Sequence, residues 1–197
     1  MNSPISAGEQ RPFSAQFPKK PQIGDEVIVK ARLTPNAKVF SINFILPTPP
    51  PVHKSLSAPA SVAESTVAAQ GQGCCGRLVG PAAKSSSPYI AYHFKTIFGE
   101  DDEDESVVVQ NWKNVVWQRE VREPNRWLRD RMRPFTLIFR FHHDTIRVFV
   151  DHTHQAPEYE FEYQVPLERI RLVELWDDVE FVEEVTFRFK NMIRNGT

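Results

Sequence analysis

Between residues 89 and 189 apolar side chains recur at every second position in one short segment after another, and no stretch shows a convincing helical period. Such alternation sends successive side chains to opposite faces of a strand, burying one set and leaving the other to solvent. In the first segment Ile90, Tyr92 and Phe94 take one face and Ala91, His93 and Lys95 the other, with Ile97 following in the second parity. In the next, Val108 and Gln110 oppose Val107, Val109 and Asn111, and just after Trp117 the residues Glu120 and Arg122 share a parity. Leu137, Phe139 and Phe141 are followed across His142-His143-Asp144-Thr145 by Ile146, Val148 and Val150, which reads as a hairpin. Tyr159, Phe161 and Tyr163 alternate with glutamates, and apolar stretches at 170–176 and 181–189 close the series. Upstream, Val27, Val29, Ala31 and Leu33 mark one strand and Phe40, Ile42 and Phe44 another, with Pro35-Asn36 as the turn of a simple hairpin. Many short strands at regular intervals predict an all-β chain folded as a two-sheet antiparallel β-sandwich.

At 197 residues the chain allows one sizeable domain with extensions, and 14 phenylalanines suffice for its core. A net charge of −1 gives no ground for nucleic acid or an anionic membrane as partner, so charge arguments have to be local. The first residues lack the basic start and apolar run of a secretory signal, and no stretch approaches the roughly 20 apolar residues of a membrane span. The expectation is therefore a soluble, cytoplasmic protein without membrane insertion. Cys74 and Cys75 are adjacent, too close to staple a fold, and read as reduced thiols in a loop. His142, His143, His152 and His154 raise a metal reading, but they fall in turns, and neither a metal nor a cofactor is expected.

Residues 1–20 are polar and interrupted by proline, and predict a mobile tail; 193–197 form a short second one. The segment 47–88 holds seven of the 16 prolines, four of the eight glycines and no aromatic residue. It cannot bury enough apolar surface to offset its ordering entropy, so it is expected to be a disordered insertion in a single domain spanning 21–192. Loop closure grows only slowly with length, so a sandwich tolerates such an insertion. Six consecutive acids at 100–105 predict a solvated loop, and four arginines between 126 and 133 read as solvated loop charge or as an anion or protein contact.

If three neighbouring strands carry them, His93, Asn111, Trp117, Glu120 and Arg122 converge on one surface. On these residues the chain resembles the galectins, the β-galactoside-binding lectins, whose pattern is H-x-N-x-R, then V-x-N, then W-x-x-E-x-R. Here the three stretches read His93-Phe94-Lys95-Thr96-Ile97, Val109-Gln110-Asn111 and Trp117-Gln118-Arg119-Glu120-Val121-Arg122. The resemblance extends over 21–46 and resumes over 134–189, and it implies the galectin jelly-roll sandwich, related to that of the legume lectins. Lys95 and Ile97 depart from it, standing where the family has Asn and Arg.

The chemistry suits a galactoside. An aromatic platform meets the apolar C–H patch of the sugar, and directional polar groups read its hydroxyls. By the resemblance, Trp117 is the platform, His93 meets the 4-hydroxyl, Asn111 and Glu120 the 6-hydroxyl, and Arg122 braces Glu120; Val109 belongs to the same strand motif. Lys95 donates but does not accept, and Ile97 does neither. Since hydrogen bonds to charged groups contribute roughly 1.5–3 kcal/mol, losing one weakens lactose binding by about ten- to a hundredfold. The expected function is a galectin-like lectin with a partly degenerate site, binding β-galactoside glycans weakly or with altered specificity. The competing reading is a galectin-fold protein acting through protein contacts. Glycosidase chemistry needs two carboxylates across the bond, and the inferred groove offers Glu120 alone, so no enzyme is expected. The resemblance further implies that the acidic run borders the groove, where it would repel sialylated or sulfated glycans. It also allows a homodimer and export by a route that needs no signal peptide.

Overall fold

The computed structural model describes residues 12–50, 87–99, 105–153 and 155–190. Twelve strands form in these regions: β1 (Phe13–Gln16), β2 (Glu26–Leu33), β3 (Val39–Ile45), β4 (Tyr89–Ile97), β5 (Val107–Asn114), β6 (Val116–Trp117), β7 (Val121–Pro124), β8 (Phe135–Phe141), β9 (Thr145–Val150), β10 (Tyr159–Glu162), β11 (Leu172–Asp177) and β12 (Val179–Arg188). The only helical piece among the described residues is a 3-10 turn at Leu167–Arg169. Two antiparallel sheets result, one ordered β1-β11-β3-β4-β5-β6 with β7 also on β5, the other β10-β9-β8-β2-β12. The expected all-β sandwich is therefore the fold.

The core lies between the sheets and is built from the alternating residues anticipated in most strands. Val27, Val29 and Leu33 of β2, Phe40, Ile42 and Phe44 of β3, and Leu137, Phe139 and Phe141 of β8 are all 0 % exposed. Phe139 stands among Phe44, Tyr92 and Phe94 with ring centroids 5.2–6.1 Å away, the tilted and edge-on geometry that aromatic pairs prefer. The buried polar groups of Tyr92 and Gln110 are satisfied in a chain: the Tyr92 hydroxyl donates to Gln110 Oε1 (2.6 Å), and Gln110 Nε2 donates to Glu123 (2.9 Å).

Three expectations are corrected. β2 and β3 are not a hairpin: β2 pairs with β8 and β12, whereas β3 pairs with β4 and β11 in the other sheet. Alternation only states that one face is buried, and two strands facing each other across the core satisfy it as well as two strands side by side. The tail expected over 1–20 is ordered in its later part, because Phe13–Gln16 pair with β11 and Phe17 is buried against Phe187 at 4.4 Å. Residues 1–11 lie outside the described region, as do most of the 47–88 segment and positions 100–104. Finally, Ile90 does not join the Tyr92 face. Along β4 the pairing slips by one residue, Ile90 opposing Ile45 and Lys113 while Tyr92 opposes Phe44. The extra residue, Ala91, goes into the core cluster and Ile90 is left outside it, as expected of a bulge.

Candidate carbohydrate-binding groove

Residues directly opposite in paired strands share a face, so the register of the seven-stranded sheet fixes which side chains meet. On the face turned away from the core, Asn43, His93 and Asn111 form one row across β3, β4 and β5. The next row runs Ser41, Lys95, Val109, Arg122, and the one after that Val39, Ile97, Val107, Pro124. On the other side of His93 lies the row Ile90, Lys113, Trp117. All seven residues singled out in the sequence thus belong to this one sheet region, with Glu120 just ahead of β7.

His93 is the most constrained of them. Its Nδ1 lies 2.5 Å from Asn43 Oδ1. With a carbonyl oxygen as partner, Nδ1 carries the proton and Nε2 presents a lone pair, which can accept from a hydroxyl. Burial, together with the charges of Lys95 and Lys113, holds the imidazole pKa down at about 3, so the ring is neutral at neutral pH. An unfolded chain would protonate the same ring near pH 6.5. Between those values the unfolded state binds more protons, so His93 contributes stability that is present above about pH 6.5 and lost as pH falls toward 3. Unfolding free energies at pH 7 and pH 4 should therefore differ more in the wild type than in His93→Gln, by an amount on the order of a few kcal/mol; equal differences would contradict the argument.

Asn111 and Val109 sit where the register demands but are 4 % and 5 % exposed. The Asn111 amide donates to the Gln118 carbonyl (3.1 Å), and its oxygen accepts from the Trp112 N–H (2.8 Å), so both ends secure the segment leading to Trp117. That segment turns sharply at Val115, whose φ of 64° is rare for a β-branched residue, and whose N–H is held by the Pro88 carbonyl at 2.8 Å. The turn carries Trp117 back over the sheet, 44 % exposed. Its ring centroid lies 4.7 Å from that of His93, and the Lys113 ammonium stands 5.2 Å over the indole. Arg122 Nε donates to Glu120 Oε1 at 2.7 Å, the brace that the resemblance implied, with both side chains open to solvent. Lys95 is partly exposed and has no ion-pair partner among the described residues.

Sequence reasoning missed Asn43, Lys113 and Gln118. Asn43 and Lys113 lie outside the matched motifs and become visible only through cross-strand pairing, while Gln118 fills an unspecified position of the third motif and acts through its backbone carbonyl. The arginine-rich loop also differs from a purely solvated one. Trp127 and Leu128 are buried, the Trp127 indole N–H donating to Thr96 Oγ1 (3.0 Å), which anchors the loop in the core. A cleft of about 520 Å³ opens at the sandwich edge between Trp112, Glu120 and β10, and Glu160 and Glu162 line it together with Glu120. β10 nevertheless belongs to the five-stranded sheet, so these two carboxylates lie outside the groove rows.

The same architecture is found in known proteins. Caenorhabditis elegans galectin LEC-6 matches with a TM-score of 0.58 at 19% identity, covering 93% of this chain and 99% of its own. Sheep Galectin-11 (LGALS11), solved with glycerol, matches at 0.56 and 17% identity, covering 91% and 99%. At such identities the likeness is one of fold. No curated protein matched the sequence. The model of the galactoside-binding lectin family matches residues 76–187, more than half of the chain, and galectins are generally non-enzymatic. With that match and the sandwich that carries it, the chain belongs to the galactoside-binding lectins, the galectins.

Proposed function

We propose that this galectin-type domain binds β-galactoside glycans through the face bearing His93, Trp117, Glu120 and Arg122, with affinity and specificity altered by Lys95 and Ile97. The observation that carries the reading is the pairing of an exposed indole with a braced carboxylate and a neutral histidine on one sheet face. The indole offers an apolar platform, Glu120 accepts from hydroxyls, and His93 Nε2 accepts one more. Asn111 keeps a second N–H and a second lone pair beyond its bonds to Gln118 and Trp112, but at 4 % exposure a sugar reaches it only at the cost of displacing its cover. That cost adds to the loss at positions 95 and 97, and weak binding of neutral lactose follows.

The test is retention of the purified protein on immobilised lactose, eluted with free lactose, beside a Trp117→Ala control. Retarded elution that disappears in the control is the expected result. Retention that survives Trp117→Ala would place the sugar elsewhere. The second reading, a fold retained for protein contacts, draws on the exposed apolar residues Val115, Val116 and Val121 around the same turn. It would gain if a broad glycan panel found no ligand.

A further inference from the structure

We propose that Lys95 makes the groove selective for a galactoside bearing an anionic substituent, a sulfate or a carboxylate; this rests on the sugar-binding reading above. The row Ser41, Lys95, Val109, Arg122 holds two cations and no acid. Lys95 and Arg122 are two strand spacings apart, roughly 10 Å between backbones, which their long side chains can close over a bound group. Arg122 gives its Nε to Glu120 and retains the other N–H donors of a guanidinium. Lys113, one row beyond His93, adds a third positive group. The carboxylates on this part of the sheet are Glu120, held by Arg122, Glu174, which lies opposite Asn43 in the His93 row and accepts from the Trp176 indole at 2.9 Å, and Asp177, which accepts from the Ser41 hydroxyl at 2.8 Å.

Covering Lys95 with a neutral sugar strips water from an ammonium and returns only hydroxyl acceptors, which is unfavourable for a charge. An anionic oxygen at the same place restores a full charge-assisted bond. Glu105, exposed two residues ahead of β5, follows on from the row of Ile97 and Val107 and works against an anion at that end. Lys95 lies on the inner side of that row, next to His93.

The experiment measures dissociation constants of the full chain for lactose, 3′-sulfolactose, 6′-sulfolactose and 3′-sialyllactose, with wild type, Lys95→Asn and the double variant Lys95→Asn with Ile97→Arg. The wild type is expected to bind at least one anionic probe about tenfold or more tightly than lactose, and the sulfated and sialylated arms identify the group. The preference should shrink in roughly 1 M salt, where the screening length falls to about 3 Å. It should collapse toward unity in Lys95→Asn. Lactose bound as tightly as every anionic probe, or a preference that survives Lys95→Asn, overturns the inference. If the wild type binds none of the probes, the inference is overturned and the double variant decides the underlying reading: restored lactose binding keeps it, and silence ends both.

Discussion

Lys95→Asn combined with Ile97→Arg is expected to bind lactose about a hundredfold more tightly than the wild type. A neutral hydrogen bond contributes about 1 kcal/mol and a charge-assisted one roughly 1.5–3, and each 1.4 kcal/mol is a factor of ten. The backbone is ready for both changes. Position 95 sits between Ser41 and Val109 and position 97 between Val39 and Val107, each in regular antiparallel pairing and partly open to solvent. Neither substitution disturbs the core, because both side chains face away from it. Calorimetric titration with lactose gives the number directly. An unchanged affinity would mean that Trp117 and Glu120 remain in place without a sugar to hold, and the protein-contact reading would take precedence.

Phe139→Ala is expected to cost about 3–5 kcal/mol, the range for a truncated buried aromatic. Phe139 is 0 % exposed at the centre of the five-stranded sheet, with three aromatic neighbours from the opposite sheet. Main-chain pairing on both sides holds β8 rigid, so collapse around the cavity is limited. At about 2–4 °C per kcal/mol for a domain of this size, the thermal midpoint should fall by roughly 6–20 °C. Phe139→Leu, which fills most of the space, should recover much of that loss. A drop of a degree or two for alanine would show that the two sheets close over the gap.

The strands were legible because a half-buried strand writes its two faces into the sequence as alternation. The row of His93 and Asn111 was legible for the same reason, since parity decides the face. Sheet membership was not: Val27–Leu33 and Phe40–Phe44 carry the same alternation whether they pair or stack, and Pro35-Asn36 suits either path. Ala91 was misread because one inserted residue reverses the parity upstream of it, and alanine packs equally well on either face. Asn111 shows a further limit. Its place in the motif suggested a sugar ligand, whereas the hydrogen bonds that occupy it depend on where Gln118 and Trp112 come to lie. Phe13–Gln16 was read as tail because a four-residue edge strand is too short to show a period.

The strand order also sets a timetable. β12 pairs with β2, and β11 lies between β1 and β3, so both sheets are completed by strands from the last part of the described chain. During synthesis the early strands emerge and wait with open hydrogen-bonding edges until residues 172–188 arrive. Partly made chains with unpaired strand edges associate readily. For this protein the hazardous interval runs from the emergence of β2 and β3 to that of β11 and β12, and a nascent chain stopped before Leu172 would hold the groove's central strands without the neighbour that flanks β3.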